Sequence, residues 1–179
     1  MSLPSLILAS FFPLFCQSQD FFQENLLIAI NTQVPSVENY ILHPKPWWLK
    51  VATKKWQWLA FDPKIYHPPN LNPQDYPAII EHEKTHLSQQ RERGKYRWFI
   101  KYVASRKFRL SQELEPIVVE LSCTPVELRR QLAIKYAKNL SESPYHRAAK
   151  SFEIAYNSIL SKAEEMGVEI EISSVESAK

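Results

Sequence analysis

Glycine is scarce in this chain: only 2 of its 179 residues are Gly, against 13 Pro. Loops that cradle phosphates, such as the P-loop and the dinucleotide-binding loop, need several glycines where the backbone approaches the phosphate. The sequence therefore excludes nucleotide-dependent chemistry of these kinds.

Cysteine is equally scarce, since Cys16 and Cys123 are the only two and lie far apart. They form no CxxC pair, so they cannot build a structural zinc site or a disulfide framework. We expect two small buried hydrophobic residues, with a single bridge between them as the alternative.

Long apolar runs and strong net charge are also missing. The apolar segment Leu3–Cys16 is interrupted by Pro4 and Pro13 and is shorter than the roughly 20 residues that span a bilayer. It lacks the basic start of an export signal, because the first cation is Lys45. We expect a buried N-terminal element without a membrane span, and the net charge of +3 does not by itself indicate nucleic-acid binding.

What the chain does contain is enough apolar sequence for one folded domain. It is 45% hydrophobic and 23% charged, which is typical of a globular protein. The expected class is α+β, mostly helical, with a small antiparallel sheet or hairpin before the helix that contains Pro77. The predicted helices cover 19–33, about 75–92, 95–104, 111 onwards, 125–139 and 143–167, and the predicted strands cover 47–51, 56–61 and 168–172.

The most informative motif is an HExxH pattern, residues 82–86, within a predicted helix. The four-residue spacing places His82 and His86 on one helix face, where both imidazoles can bind one Zn²⁺. Glu83 lies roughly 100° around the helix. There its carboxylate can take a proton from zinc-bound water and pass it to a leaving amine. The alternative is a chance occurrence, which is expected in about 1% of chains of this size.

A zinc site needs a third protein ligand, and an acidic segment, residues 111–115, offers one. It follows about one helix and a turn later, which is far enough for the chain to reverse and present a carboxylate. Glu113 and Glu115 are roughly 200° apart on a helix, so only one of them can face the ion. The alternative is a solvated helix face that Ser111 caps.

Residues 82–90 and 109–115 resemble the compact HExxH proteins of phages and bacteria, which belong to the gluzincin type of zinc metallopeptidase. The resemblance covers residues 47–145 and implies a zincin-like fold, bound Zn²⁺ and a peptide or protein substrate. We expect a single domain, divided into an N-terminal extension (1–40), a metallopeptidase-like core (41–145) and a C-terminal helix and tail (146–179).

The resemblance also implies roles for individual residues. His82, His86 and Glu113 would bind zinc, and Glu83 would be the general base. Pro116 stands where the family usually has Ala, which leaves Glu115 open as the alternative ligand. No Asp follows to orient either histidine, so we expect the orienting partner to come from elsewhere.

Enzymes of this type use two further features. A downstream His or Tyr stabilises the oxyanion, and Tyr145 and His146 are the nearest candidates, with a structural role as the alternative. The strand before the active-site helix often binds the substrate, which would be Trp56–Phe61 here. The alternative is a structural hairpin that packs its tryptophans into the core.

Two other functions stay open at this point. Phage-type members of such groups can be virion or tail components, so this chain could be a catalytically silent zincin scaffold that binds other structural proteins. We expect it in the cytoplasm or, if phage-encoded, in the virion, and not as a secreted protein. The basic, aromatic stretch Lys95–Arg109 could bind nucleic acid or an anionic membrane surface. We favour instead an amphipathic helix that buries Trp98, Phe99 and Tyr102.

Overall fold

A computed structural model describes residues 40–46, 57–142 and 147–171. Within these ranges, three short strands precede five α-helices, which confirms the mostly helical α+β class. The elements are β1 (Ile41–Pro44), β2 (Leu59–Phe61), β3 (Lys64–His67), a 3-10 turn (Pro73–Asp75), α1 (Pro77–Arg93), α2 (Lys95–Ala104), α3 (Arg106–Ser122), α4 (Val126–Glu142) and α5 (Phe152–Glu165).

The sheet is mixed, so the expected antiparallel sheet is correct for only one strand pair. Its order is β1-β3-β2, with β3 parallel to β1 and antiparallel to β2. The sequence predicts neither β1 nor β3, and β3 lies within a proline-rich loop. Pro63 and Pro68 flank the strand, and neither interrupts it. The predicted strand 47–51 lies outside the described residues, and of 56–61 the structure describes a strand at Leu59–Phe61.

The bounds of α1 and α2 agree with the ranges predicted from the sequence. The Asn72 side chain accepts a hydrogen bond from the Gln74 backbone and caps the 3-10 turn that leads into α1. α1 ends at Gly94, whose φ of 78° an L side chain rarely adopts. α2 occupies the predicted residues, and α4 lies close to its predicted range.

Two predicted helix starts and one predicted strand are wrong. α3 begins at Arg106 and not near 111, because the Ser105 side chain caps it by accepting from the Phe108 backbone N–H. α5 begins at Phe152 and not at 143, because Ser151 caps it in the same way. Residues 168–171 are not a strand: Val168 and Ile170 pack against the helical core instead. The predicted helix 19–33 lies outside the described residues.

Two hydrophobic cores lie near α1, and the first contains side chains of that helix. One joins the sheet to α1 through Trp58, Ile65, Ile79 and Leu87. The other lies among α3, α4 and α5 around residues such as Ile117, Leu121, Leu132, Leu140 and Ile159. α1 therefore lies between the sheet on one side and α3 on the other.

Two further findings concern the sequence expectations. Cys123 is a buried free thiol, as expected of a small hydrophobic residue, and Cys16 lies outside the described residues. In the parts of the chain that the structure describes, we find no helix with the length and apolar character needed to cross a membrane.

Candidate metal centre

The polar face of α1 is buried. His82, Glu83, His86, Gln89 and Gln90 are each at most 6% exposed. Charged side chains are almost never buried to this degree unless they are paired or bind a metal. This face therefore requires partners from neighbouring elements.

α3 supplies the carboxylates that face the histidines. Its contacts with α1 pair His82 with Glu120 and His86 with Glu113, so the two helices run antiparallel. Glu113 and Glu120 are seven residues apart and share one face of α3, because seven residues make about two helical turns. Glu115 instead accepts a hydrogen bond from Gln89. The structure thus brings Glu113, and not Glu115, to the histidines.

The three side chains form a site of the size that zinc requires. Ligand atoms of His82, His86 and Glu113 all lie within 4.8 Å of one another. His86 Nε2 is 3.8 Å from Glu113 Oε1. Ligands that bind a tetrahedral Zn²⁺ at about 2.0–2.2 Å are about 3.4 Å apart. Shifts of about 1 Å or less would therefore complete this arrangement, and the residues present fit the ion.

Each histidine is oriented through its Nδ1 atom. His82 Nδ1 is 3.0 Å from Glu120 Oε2, and His86 Nδ1 is 3.1 Å from Gln89 Oε1. An acceptor at Nδ1 holds the ring proton there and directs the Nε2 lone pair elsewhere. Sequence reasoning missed both partners, although the seven-residue spacing from Glu113 was a usable signal for Glu120.

Two tyrosines hold the carboxylates. Tyr102 on α2 donates a hydrogen bond to Glu113, and Tyr136 on α4 donates one to Glu120. Trp98 stacks on Tyr102 at a ring distance of 4.6 Å. α2 thus presents its buried aromatic residues to the site, while other residues of the basic stretch, such as Tyr96 and Ile100, are exposed.

Glu83 points to the sheet side of α1. Its carboxylate accepts a hydrogen bond from the Ala60 backbone N–H, and Gln90 donates to the Ala60 carbonyl at 3.0 Å. Both backbone groups of Ala60 on the outer edge of β2 are therefore bound by α1 side chains. Trp58 is fully buried, as expected if this segment packs its tryptophans into the core. Trp56 lies outside the described residues.

Burial changes the protonation of the carboxylates and of one lysine. It raises the pKa of Glu83 to about 7, although His82 opposes the shift. It also raises the pKa of Glu113 to about 8, against the effects of His82 and the Tyr102 hydrogen bond. Lys45 is 3% exposed, and burial lowers its pKa to about 8 while the Glu83 charge opposes this. The site therefore holds titratable groups close to neutral pH.

The two histidines differ in protonation. Burial alone would lower the pKa of His82, but its hydrogen bond to Glu120 and the nearby carboxylates raise it above the usual value. Burial and the neighbouring His82 lower the pKa of His86 well below its usual value. His86 is therefore a neutral imidazole, which is the form that binds a metal.

Tyr145 and His146, the candidates for stabilising the oxyanion, lie outside the described residues. His43 and His67 bind backbone carbonyls next to them in the chain.

Comparisons with protein-family models, curated proteins and solved structures found no match to this chain. The functional conclusion therefore depends on the chemistry of the site.

Proposed function

We propose that this chain is a zinc-dependent metallopeptidase, with His82, His86 and Glu113 as the metal ligands and Glu83 as the general base. The observation that carries the proposal is the buried cluster of three ligand atoms within 4.8 Å of one another. Burial of two imidazoles and a carboxylate in one place is costly unless something binds them, and zinc binds this ligand set in catalytic sites.

Glu83 is suited to moving a proton at this position. One of its oxygens accepts from the Ala60 backbone, and Oε2 has no hydrogen-bond partner among the described residues. Its pKa of about 7 lets it accept a proton near neutral pH and return it to a leaving amine. Zinc bound by the cluster would supply a Lewis acid that activates water and polarises a peptide carbonyl.

Metal analysis tests the binding half of the proposal. We expect about one zinc ion per chain after purification with zinc present, and loss of that zinc in Glu113→Gln and His86→Gln. His43→Gln is the matched control, because His43 is a histidine outside the cluster. A wild-type protein that stays free of zinc under these conditions contradicts the proposal.

Glu83→Gln tests the catalytic half. Loss of the general base should lower hydrolysis of a denatured protein such as casein by at least about 100-fold while zinc content stays unchanged. Glu81→Gln is the control, since Glu81 lies on the same helix and forms a part-buried pair with Lys84. Equal hydrolysis by wild type and Glu83→Gln would contradict this mechanism.

A second candidate is a catalytically silent zinc scaffold, such as a virion or tail component. Two observations favour it: every ligand is at most 3% exposed, and α1 side chains bind both outer-edge backbone groups of Ala60. The expected result is then full zinc binding without hydrolysis, together with a lower melting temperature after chelation. Hydrolysis that depends on Glu83 would eliminate this candidate.

A further inference from the structure

Pro116 lies in the middle of α3, where a proline removes one helical hydrogen bond. It has no N–H to donate to the carbonyl of Gln112, which is four residues earlier. That carbonyl accepts from the Gln89 side chain instead, with an Nε2–O distance of 3.1 Å. The proline therefore leaves free the acceptor that Gln89 binds.

The side-chain amide of Gln89 makes three hydrogen bonds. Its Nε2 donates to the Gln112 carbonyl and to Glu115 Oε2, both at 3.1 Å. Two acceptors at Nε2 fix the amide orientation, since only the nitrogen can donate. Its Oε1 must then face His86 Nδ1, which lies 3.1 Å away. Because the amide oxygen can only accept, His86 must donate from Nδ1.

We infer that Gln89 is a positioning residue for His86 and that Pro116 keeps the Gln112 carbonyl available to it. The inference rests on the proposed metal site. With the proton held on Nδ1, the Nε2 lone pair of His86 faces Glu113 Oε1 at 3.8 Å, where a metal would bind. The proline in α3 thus sets the ring orientation of a ligand on α1, although the two residues are distant in sequence.

Pro116→Ala distinguishes this inference from a purely structural role of Pro116. Pro116→Ala supplies an N–H that can bond to the Gln112 carbonyl and compete with Gln89. The metal-free protein should then have a higher melting temperature, because the helix regains its hydrogen bond. Zinc should nevertheless bind about threefold to tenfold more weakly, because His86 is held less firmly. Stability and affinity change in opposite directions only if the proline acts on the site.

Substitution of Gln89 gives the direct test. Gln89→Leu should weaken zinc binding by about 10- to 100-fold, measured by competition with a chelator. Gln90→Leu is the matched control: Gln90 is also buried on α1 and contacts Ala60 and Asp62 on the sheet side of the helix. ¹⁵N NMR of the metal-free wild type should show His86 protonated at Nδ1, and Gln89→Leu should lose this tautomer.

The double variant Gln89→Leu/Pro116→Ala separates positioning from folding. The new N–H of residue 116 satisfies the Gln112 carbonyl that Gln89→Leu leaves unpaired, so stability should recover while zinc affinity stays low. If affinity recovers together with stability, or if Gln89→Leu binds zinc like wild type, the inference is wrong. If the wild type itself binds no zinc, the proposed metal site fails instead.

Discussion

The histidines of this site are each held at two points, by the backbone of α1 and by an acceptor at Nδ1. Glu120 and Gln89 supply these acceptors, and Tyr136 and Glu115 hold them in turn. Glu113 has the same kind of support from Tyr102. Such outer contacts fix the rotamers of ligands before any metal arrives, which lowers the entropic cost of binding.

Tyr102→Phe tests the support of Glu113, the proposed third ligand. Removal of the hydroxyl leaves Glu113 without its hydrogen bond from α2, so zinc affinity should fall by about tenfold. Chelator competition measures the change. Tyr96→Phe serves as the control, because Tyr96 lies on the same helix and is 68% exposed. Equal affinities of the two variants would show that the hydroxyl contributes nothing to the ligand.

Lys45→Met tests the electrostatics of Glu83, the proposed general base. The positive charge of Lys45 lowers the pKa of Glu83, so its removal should raise that pKa further. A general base works only when deprotonated, and the acid limb of the kcat/KM profile should therefore move to higher pH. Lys64→Met on β3 is the control. An acid limb that stays in place would show that the charge of Lys45 does not affect the pKa of Glu83.

At the scale of elements, the site depends on two helices that meet in antiparallel orientation. α1 contributes residues four apart and α3 contributes residues seven apart, and both spacings place side chains on one helix face. α2 connects them and is short, with Gly94 before it and Ser105 after it. Its length and its two ends therefore determine where Trp98 and Tyr102 meet α3.

Ser105→Ala tests the junction between α2 and α3. The Ser105 hydroxyl caps α3 by accepting from the Phe108 N–H, and its loss should lower the free energy of unfolding by about 1 kcal/mol. Urea denaturation measures this change. Ser158→Ala in the middle of α5 is the control, because its hydroxyl bonds only within a helix. A Ser105 variant no less stable than this control would argue against the cap.

At the scale of the whole molecule, a polar site lies between two apolar cores. The sheet core and the helical core both exclude water from α1, which is why the carboxylate pKa values rise. The metal-free protein therefore carries buried groups whose protonation differs between the folded and unfolded states. Its stability must depend on pH.

The sign of this dependence follows from the pKa shifts. Between pH 6.5 and about 8, folded Glu113 still holds a proton that the unfolded chain has released. The raised pKa of His82 acts in the same direction. The free energy of unfolding of the metal-free protein should therefore fall as pH rises through this window, as measured by urea denaturation with a chelator present. Two groups oppose this trend: the lowered pKa of His86 acts at the lower end of the window, and that of Lys45 acts near its upper end.

Zinc should reverse this trend. Its ligands must be deprotonated, so the gain in melting temperature on adding zinc should grow from pH 6.5 to 8. Glu113→Gln should lose the zinc effect and flatten the metal-free pH dependence. A metal-free wild type whose stability is constant over this window would contradict the expected pH dependence.

The sequence alone determined the local features of this protein. The spacing of His82 and His86, the end of α1 at Gly94 and the extent of α2 follow from helical periodicity and backbone preference, which act over a few residues. Tertiary structure decided the choice of Glu113 over Glu115, and the roles of Glu120 and Gln89. These depend on how α3 is rotated against α1, which no short window of sequence contains. The role of Pro116 depends on both sequence and tertiary structure. Its missing N–H is visible in the sequence, but the side chain that binds the freed carbonyl comes from another helix.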